Sequence, residues 1–318
     1  MESLRARDLI GLVDTAIESL RAHKEEINAM NVFPVPDGDT GTNMLLTMQA
    51  VRDAIKGTNH HDMRSLCQAV SRGSLMGARG NSGVVLSQIL KGMTEVLGEN
   101  DVVDAEVMAA ALSRGSEVAY RAVMKPVEGT ILTVVREAAE EGERLKGEGG
   151  TLQEWFTGVV VKAREALEHT PDLLPVLKDA GVVDAGGRGL LAIFEGMLAY
   201  VSGEELQVIE EEVVQAGAPG LDQAEDYRYE AQFILHCRES RAERFREVLH
   251  GLGGSVLVVG GDKLYRVHVH TDELGKVIEE ASAAGRLTDV EITDLKLQME
   301  QLGAVGPSAA EEKAIGVV

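Results

Sequence analysis

Two aspartates separated by one glycine, Asp37 and Asp39, have the residue type and spacing that cation chemistry needs. They follow two prolines, which stiffen the chain, and precede an apolar, helix-forming run that begins at Met44. Mg²⁺ binds carboxylate oxygens and shares the rest of its shell between water and phosphate. The pair therefore predicts a magnesium site. An Asp-Gly turn followed by a helix cap at Thr40 or Thr42 is the alternative, because turn chemistry favours the same residues.

A glycine-rich segment at residues 77–83 (GARGNSG) leads into a helical pattern and is the best candidate for a phosphate-binding loop. Glycine lets backbone amides turn toward a ligand, and a helix N-terminus adds free N–H donors and partial positive charge. The segment has neither the Gly-Lys-Ser/Thr ending of a Walker loop nor the dinucleotide fingerprint. Close packing of two helices through glycine is the alternative. The residues expected to bind phosphate or neutralise its charge are Arg79, Gly80, Asn81, Ser82 and Gly83.

Two later helix starts carry side chains that suit nucleotide contacts. Thr130 ends the segment KPVEGT (125–130), and Asp184 precedes Gly186 in the segment DAGG (184–187). A threonine or aspartate at such a place caps a helix in many proteins, so a nucleotide contact and a cap are both open interpretations.

The sequence offers a second possible metal site in its C-terminal third. His268 and His270 are one residue apart in a strand-like pattern, so both imidazoles face the same side of a sheet. Cys237 ends another predicted strand, and one cysteine with two histidines can hold Zn²⁺. His236 and Asp272 are weaker candidates for the fourth ligand. His-x-His also occurs on sheets without metal, so spacing alone leaves zinc open.

Apolar residues recur at helical spacing through the first 202 residues and predict eight principal helices with short connections. No strand pattern is convincing in this region, and an all-α antiparallel eight-helix barrel or bundle is the expected fold for residues 1–202. The helices are expected from about residue 9, at 44–57, 63–75, 85–97, 104–124, 130–145 and 151–168, and finally at 191–201, with a short turn near 172–180.

The pattern changes after this region. Residues 203–225 are acidic, contain no lysine or arginine and predict a linker. In residues 226–301 the hydrophobic period becomes 2, and the elements follow the order strand, helix, strand, strand, helix, strand. That order predicts a smaller α/β sandwich of ferredoxin-like βαββαβ type. Residues 302–318 are expected to be a tail or the start of a truncated third domain.

Composition limits the classes of function that fit the chain. Its 318 residues allow two domains, and its formal net charge of −21 argues against a nucleic-acid or anionic-membrane binder, which needs a basic face. The two cysteines, Cys67 and Cys237, are far apart, which favours a reducing compartment. Because there is also no signal-peptide pattern and no apolar run of membrane-spanning length, we expect a cytoplasmic protein.

Four segments together resemble one known family, the DhaL-like ATP-binding domain of bacterial fatty acid kinases. The first is long and specific, and the others stand in the order and spacing of that family. The similarity covers about residues 5–202, while residues 226–301 are similar to the middle domain of the family. It implies eight antiparallel helices that bind ATP or ADP with two Mg²⁺ at one end. The four segments are 31–44 (NVFPVPDGDTGTNM), 77–83, 125–130 and 184–187.

The resemblance also implies a reaction and a partner. It implies the ATP-binding subunit of a two-protein kinase, whose DegV-like carrier presents a fatty acid carboxylate that becomes an acyl phosphate. Asp37 and Asp39 match the metal ligands of the family. Relatives that act on dihydroxyacetone have a third acidic ligand, to which Asn31 is the nearest counterpart, displaced by one residue. The middle domain of the family implies Zn²⁺ on Cys237, His268 and His270, and its usual C-terminal DegV-like domain is missing here.

The combined hypothesis is a kinase active only with its carrier, in which Asp37, Asp39 and Arg79 act on the transferred phosphoryl group. Two alternatives remain: a dihydroxyacetone-type phosphotransferase subunit with ADP as a fixed cofactor, and a non-catalytic nucleotide-binding scaffold. Dimerisation through the second domain is predicted for each. The expected nucleotide contacts are Thr40, Thr42, Asn43, Gly80, Asn81, Ser82, Gly83, Thr130, Asp184 and Gly186.

Overall fold

A computed structural model describes residues 1–204 and 227–298 of the protein. Residues 205–225 of the predicted linker and the predicted tail at 302–318 lie outside these ranges. The first range is helical throughout, and the second contains a sheet with two helices. The helices of the first range are α1 (Ala6–Ala29), α2 (Thr40–Ile55), α3 (Met63–Gly77), α4 (Gly80–Leu97), α5 (Ala105–Ala122), α6 (Ile131–Lys146), α7 (Leu152–Glu168), α8 (Thr170–Leu173), α9 (Pro175–Ala180) and α10 (Ala185–Ser202).

The eight long helices of residues 1–204 form a closed barrel. Each helix from α1 to α7 packs against the next in sequence, and α10 closes the ring by packing between α7 and α1. Short connections make sequential neighbours antiparallel. The helices α8 and α9 occupy the place of the predicted turn between α7 and α10. The predicted all-α antiparallel eight-helix barrel is therefore confirmed.

The barrel is closed by a near approach of two backbones at Gly196 of α10. A Cβ atom added there would lie 2.5 Å from the Thr15 carbonyl oxygen and 2.8 Å from the Ala16 Cα, both in α1. Contacts of this length to backbone atoms require the two helices to move apart. Glycine at this position is therefore a condition for the α1–α10 contact.

We expect Gly196→Ala to lower the free energy of unfolding by about 2 kcal/mol or more, because overpacking at a backbone contact cannot be relieved by a rotamer change. Urea unfolding followed by the fluorescence of Trp155, the single tryptophan, which is buried in α7, measures this. The control is Gly275→Ala, at an exposed site where an added Cβ meets nothing within 4 Å. Equal midpoints for the two variants would contradict the prediction.

Residues 227–298 form an α/β sandwich. Its elements are β1 (Tyr229–His236), α11 (Glu239–Leu249), β2 (Gly254–Gly261), β3 (Leu264–Thr271), α12 (Leu274–Ala284) and β4 (Arg286–Asp294). The strands pair in the order β2-β3-β1-β4, and each pairing is antiparallel. One sheet face buries Phe233, Val267 and neighbouring residues in a core shared with Phe245 of α11 and Val277 of α12. This is the predicted ferredoxin-like βαββαβ arrangement.

The other face of the sheet packs on the barrel. Leu257 and Val259 of β2 join the hydrophobic core of the helical region, and β2 and β3 both contact α4. Polar contacts support the same docking: Arg79 forms an ion pair with Glu291 of β4 at 2.5 Å. The sandwich therefore covers the end of the barrel at which α4 begins. None of the helices in the described ranges combines the length and apolarity needed to cross a lipid bilayer.

Candidate active site

A cavity of about 380 Å³ lies between the barrel and the sandwich. This volume falls within the usual range of small-molecule sites. On the barrel side, residues from all four sequence motifs line it, and on the other side the wall comes from β1, β2 and β3. The predicted contacts that line the cavity are Asn31, Asp37, Asp39, Thr40, Asn43, Gly80, Asn81, Ser82, Thr130, Asp184 and Gly186.

Asp37 and Asp39 form the acidic centre of this cavity. Burial and then the neighbouring charge of Asp39 raise the pKa of Asp37 well above its usual range, and Glu230 of the sandwich raises it further. Burial also raises the pKa of Asp39, although hydrogen bonds from Asp37 and Asn43 oppose this. Two half-buried carboxylates whose charges act on each other are unfavourable unless a proton or a cation neutralises them. The pair therefore fits a divalent cation with oxygen ligands.

Asn31 orients one of these carboxylates. Its amide nitrogen donates to Asp37 Oδ1 at 2.5 Å and to the Val35 carbonyl at 3.2 Å. Its amide oxygen accepts from the Thr40 hydroxyl at 2.8 Å, so that oxygen is already engaged. These contacts make Asn31 a residue that positions Asp37 in this structure. This agrees with the sequence, in which Asn31 is displaced by one residue from the third acidic ligand of the dihydroxyacetone relatives.

The N-termini of α2 and α4 face the cavity. Their Ncap residues are Asp39 and Arg79, and neither side chain accepts a hydrogen bond from the first amides of its helix. The first amides of an α-helix have no partner within the helix. On α2, Asn28 Oδ1 accepts from the amides of Gly41 and Thr42. On α4, Gly80, Asn81 and Ser82 line the cavity, with Gly80 at a φ of +56°. The α4 start is thus suited to an anion.

Three predicted nucleotide or phosphate residues lie elsewhere. The Gly83 amide donates within the helix to the Arg79 carbonyl at 2.9 Å, and an added Cβ at Gly83 would lie 2.5 Å from Thr47 Oγ1, so this glycine serves helix packing. The Thr42 hydroxyl accepts from Asn28. The Arg79 side chain is tied to Glu291 at the domain interface. None of the three is among the residues that line the cavity.

Thr130 and Asp184 both cap helices and also line the cavity. Thr130 Oγ1 accepts from the Leu132 amide at the start of α6, and Asp184 Oδ2 accepts from the Gly187 amide at 2.7 Å at the start of α10. The positions of Thr130 and Asp184 are therefore compatible with a role as helix caps and with a contact to a nucleotide. Burial raises the pKa of the Asp184 carboxyl to about 6, against the opposing hydrogen bonds from the Gly187 and Ile131 amides.

This shift has a consequence for stability. A carboxyl whose folded pKa exceeds its unfolded value of 3.8 stabilises the fold below that value, and the contribution is lost as pH rises through about 6. A shift of roughly two units corresponds to on the order of 3 kcal/mol. We therefore expect the ligand-free protein to lose stability between about pH 4 and pH 7.5, and Asp184→Asn to remove that part of the loss.

Urea midpoints across this pH range, followed by Trp155 fluorescence, measure the effect. Asp172→Asn is the matched control, because the Asp172 side chain is 67% exposed and pairs only with Lys178 at 3.5 Å. If the stability of Asp184→Asn changed with pH as steeply as that of the control, Asp184 would not be the titrating group.

The sandwich contributes a compact group of possible metal ligands to the same cavity. Glu230, His268 and His270 are buried, and one ligand atom from each lies within 4.8 Å of the others. The two Nε2 atoms of the histidines are 3.1 Å apart. Burial, with the charges of His270 and Arg266, lowers the pKa of His268 well below its usual value, which keeps its imidazole neutral. A neutral imidazole, a second imidazole and a carboxylate are a donor set suited to Zn²⁺.

The structure does not bring Cys237 to these histidines, so the predicted ligand set needs correction. Glu230 pairs directly with His270 across β1 and β3, whereas Cys237 follows the other end of β1, where its amide donates to the Lys263 carbonyl. Seven residues along a strand correspond to about 23 Å. Cys237 also packs in the core on the opposite sheet face. His236 bonds to Thr288, and Asp272 accepts from the Arg228 amide, so neither completes the group.

Two family models match the chain. The DAK2 domain matches residues 34–199, which is more than half of the 318 residues, and the FakA-like middle domain of fatty acid kinases matches residues 226–302. The chain belongs to the DAK2-domain family. The order of its two domains is that of FakA-type fatty acid kinases, which confirms the resemblance inferred from the sequence, and the family is one of kinase-type phosphotransferases.

The relatives described next are proteins longer than this chain. Protein YloV of Bacillus subtilis (strain 168) is 36% identical over 319 residues, covering 94% of this chain and 57% of its own length. An uncharacterized protein of Staphylococcus aureus (strain USA300) is 36% identical over 298 residues, covering 90% and 54%. The chain thus spans about half the length of the curated relatives it matches. Dihydroxyacetone kinase of C. freundii matches with a TM-score of 0.45 and 15% identity, over 59% of this chain and 33% of the other.

The DAK2 domain and the middle domain share one cavity, which the sequence prediction did not include. His268 and His270 were expected in a separate zinc site with Cys237, and Glu230 was given no role. In the structure, Glu230 raises the pKa of Asp37 and His270 opposes the rise in the pKa of Asp39. A signal for Glu230 was present in the pattern. In an antiparallel β1–β3 pair, a residue near the start of β1 lies opposite one near the end of β3, as Glu230 lies opposite His270. Side chains alternate along β1, and those of odd number up to Leu235 lie in the core of the sandwich, so the side chain of Glu230 is on the face toward the barrel.

Proposed function

We propose that this DAK2-family protein is an ATP-dependent kinase subunit that phosphorylates a fatty acid carboxylate presented by a DegV-like carrier protein, giving an acyl phosphate. The observation that carries the proposal is the convergence of a half-buried carboxylate pair, Asp37 and Asp39, with the start of α4 in one cavity. The match to the FakA-like middle domain of fatty acid kinases supports the choice of acceptor.

In this proposal the chain holds ATP by three kinds of contact. Asp37 and Asp39 hold Mg²⁺, which when bound neutralises charge on the phosphate oxygens. The α4 start, with Asn81 and Ser82, donates hydrogen bonds to phosphate. Apolar side chains beside them offer a surface for the base, and these include Phe33, Val85, Ile131, Leu132 and Val256.

The acceptor chemistry makes few further demands on the chain. A carboxylate is already ionised and nucleophilic at neutral pH, so no general base is needed. Its oxygen forms a bond to the γ-phosphorus as the bond from that phosphorus to the ADP leaving oxygen breaks. Catalysis then depends on alignment and on neutralising the transferred group, for which Asp37, Asp39 and their cation are placed.

The proposal assigns Zn²⁺ to Glu230, His268 and His270, in place of the set with Cys237. Donor atoms at about 2.0 to 2.1 Å from a tetrahedral zinc lie about 3.3 Å from each other, close to the 3.1 Å between the two histidine Nε2 atoms. Such a centre would stiffen the wall that the middle domain contributes to the cavity. Whether its role extends to nucleotide binding depends on the fourth ligand position, which a water or substrate atom can take.

Incubation with labelled ATP, Mg²⁺ and a DegV-like protein loaded with fatty acid tests the function. Label should move to the lipid, and an acyl phosphate is recognised because hydroxylamine converts it to a hydroxamate. Carrier without lipid is the control. Binding of ATP without any labelled lipid would contradict the kinase proposal. Label on a free hydroxyl substrate would contradict the carboxylate acceptor.

Dimerisation through the middle domain is also proposed. The strand β4 lies at one edge of the sheet, and Val290 and Ile292 are 45% and 48% exposed there, a combination that favours pairing with another chain. Mass measurement in solution, with Ile292→Lys as the variant, tests this. An unchanged mass for the variant would place any dimer contact elsewhere.

A further inference from the structure

The middle domain occupies a hydrogen-bond donor of the phosphate loop with one of its own side chains. The Gly80 amide, the first of α4, donates to Gln232 Oε1 of β1 at 3.1 Å. This amide belongs to the helix start that lines the cavity, and in the proposed function it faces phosphate. A backbone N–H makes one good hydrogen bond at a time, so Gln232 and a phosphate oxygen cannot both take it.

The same glutamine oxygen accepts a second donor, from a buried arginine. Arg266 Nη2 donates to Gln232 Oε1, also at 3.1 Å. The Arg266 side chain is fully buried at 0% exposure, and its Nε and Nη1 atoms have no hydrogen-bond partner among the described residues. Burial lowers its pKa only to about 10, so the guanidinium remains charged at neutral pH. A buried charged group with two unused donors indicates a missing acceptor.

Gln232 Oε1 therefore lies where an anionic oxygen would be bound. A backbone amide at a helix N-terminus and an arginine N–H converge on it at equal distances, and this is a donor pair that binds phosphate oxygens in many proteins. The positive charge of nearby Arg79 adds to the field, since it is among the charges that lower the pKa of Arg266. A neutral amide oxygen satisfies such a site less well than a phosphate oxygen does.

We propose that Gly80 and Arg266 form a phosphate-binding site across the two domains, and that Gln232 fills it until a nucleotide phosphate displaces the glutamine amide. The inference rests on the proposed function for its ligand, a nucleoside triphosphate. Arg266 then becomes a phosphate-binding residue supplied by the middle domain. Gln232 is a competitor for that site. Its amide nitrogen already donates to Glu230, so displacement also disturbs the Glu230, His268 and His270 group.

Titration calorimetry of the whole chain with Mg²⁺ and the β,γ-imido analogue of ATP tests the proposal. Gln232→Ala removes the competitor, and we expect it to bind the analogue about fivefold more tightly. Arg266→Met removes the contact that the middle domain is proposed to make to phosphate, and it should weaken the affinity for the analogue by about tenfold or more. Adenosine carries no phosphate, so its affinity should be the same in wild type and Gln232→Ala.

Glu291→Gln is the matched control for loosened domain docking. It breaks the ion pair with Arg79 and leaves the hydrogen bonds of Gly80 and Arg266 to Gln232 in place. Glu291 lies opposite Gln232 and acts on Arg266 through its charge, so the affinity of this variant should stay within about twofold of wild type. If Glu291→Gln tightened binding as much as Gln232→Ala, domain opening and not competition would be the cause. Because Arg266→Met could fail to fold, Arg266→Lys serves as the second variant, and it should bind the analogue more weakly than wild type while retaining its circular dichroism spectrum.

Exchange of the Gly80 amide, followed by nuclear magnetic resonance, gives a readout that does not depend on affinity. In Gln232→Ala without nucleotide this amide should exchange faster than in wild type, and the analogue should restore its protection. Unchanged exchange, or weaker analogue binding by Gln232→Ala, would overturn the inference. These measurements need no carrier protein. If the protein bound nucleotide but transferred no phosphoryl group, the kinase proposal would fail and the phosphate-site proposal would stand. If wild type bound no nucleotide, both would fail.

Discussion

Asp37→Asn is expected to lose phosphoryl transfer by about a thousandfold or more while making the ligand-free protein more stable. The carboxylate of Asp37 is half-buried, and desolvation followed by the charges of Asp39 and Glu230 raises its pKa. Asparagine keeps the acceptor for Asn31 but carries no charge, so it holds a cation poorly. A residue that served only the fold would give the opposite result for stability.

The pH dependence of this gain follows from the direction of the shift. The folded pKa of Asp37 lies above its unfolded value of 3.8, so its contribution to stability is present below that value. It is lost as pH rises through the folded pKa. Asp37→Asn should therefore exceed wild type in free energy of unfolding at neutral pH, and the difference should shrink toward zero as the pH falls toward about 4.

Urea unfolding with and without Mg²⁺ measures both parts of the prediction, and labelled-lipid formation measures transfer. Mg²⁺ should stabilise wild type and have little effect on the variant. Asp53→Asn is the control. Asp53 lies on α2, the helix that follows Asp37, its side chain is 70% exposed and pairs with Lys56, and the variant should behave as wild type in every assay. Full transfer by Asp37→Asn would remove this residue from the metal site.

The fold was largely predictable because its signals are local. Helical periodicity identified the eight long helices, and the change to a period of 2 identified the sandwich. The apolar periodicity of α4 and α10 begins only at about residues 85 and 191, whereas these helices begin at Gly80 and Ala185, within the glycine-rich segments that were expected at helix starts. Glycine has low helix propensity, so glycine-rich first turns were assigned to loops. Tertiary packing and the Asp184 cap make them helical.

The candidate site was predictable on the barrel side only. Its four motifs are contiguous in sequence, whereas the contribution of the middle domain depends on which sheet face docks on the barrel. That choice follows from long-range packing, in which Leu257 and Val259 join the core of the barrel. Periodicity within one strand carries no information about it. The unknown register of β1 and β3 likewise led to Cys237 in place of Glu230 as a partner for the two histidines.

The proposed zinc centre gives a direct test between these two ligand sets. Protein purified with zinc and then dialysed should hold about one zinc ion per chain in wild type and in Cys237→Ser. His270→Ala should hold almost none, because removing one of three protein ligands from the group leaves too few to retain the ion. Elemental analysis gives the stoichiometry, and competition with a coloured chelator gives the affinity.

Glu230 decides the question most sharply, since the sequence prediction gave it no role. Glu230→Gln retains the size of the side chain and a hydrogen-bond acceptor but removes the charge, and we expect zinc affinity to fall by about tenfold or more. Glu230→Cys supplies a thiolate at the same position and should restore binding, because thiolate is a strong zinc ligand. Full zinc in Glu230→Gln, together with its loss in Cys237→Ser, would show that β1 and β3 pair in a register other than the one that places Glu230 opposite His270.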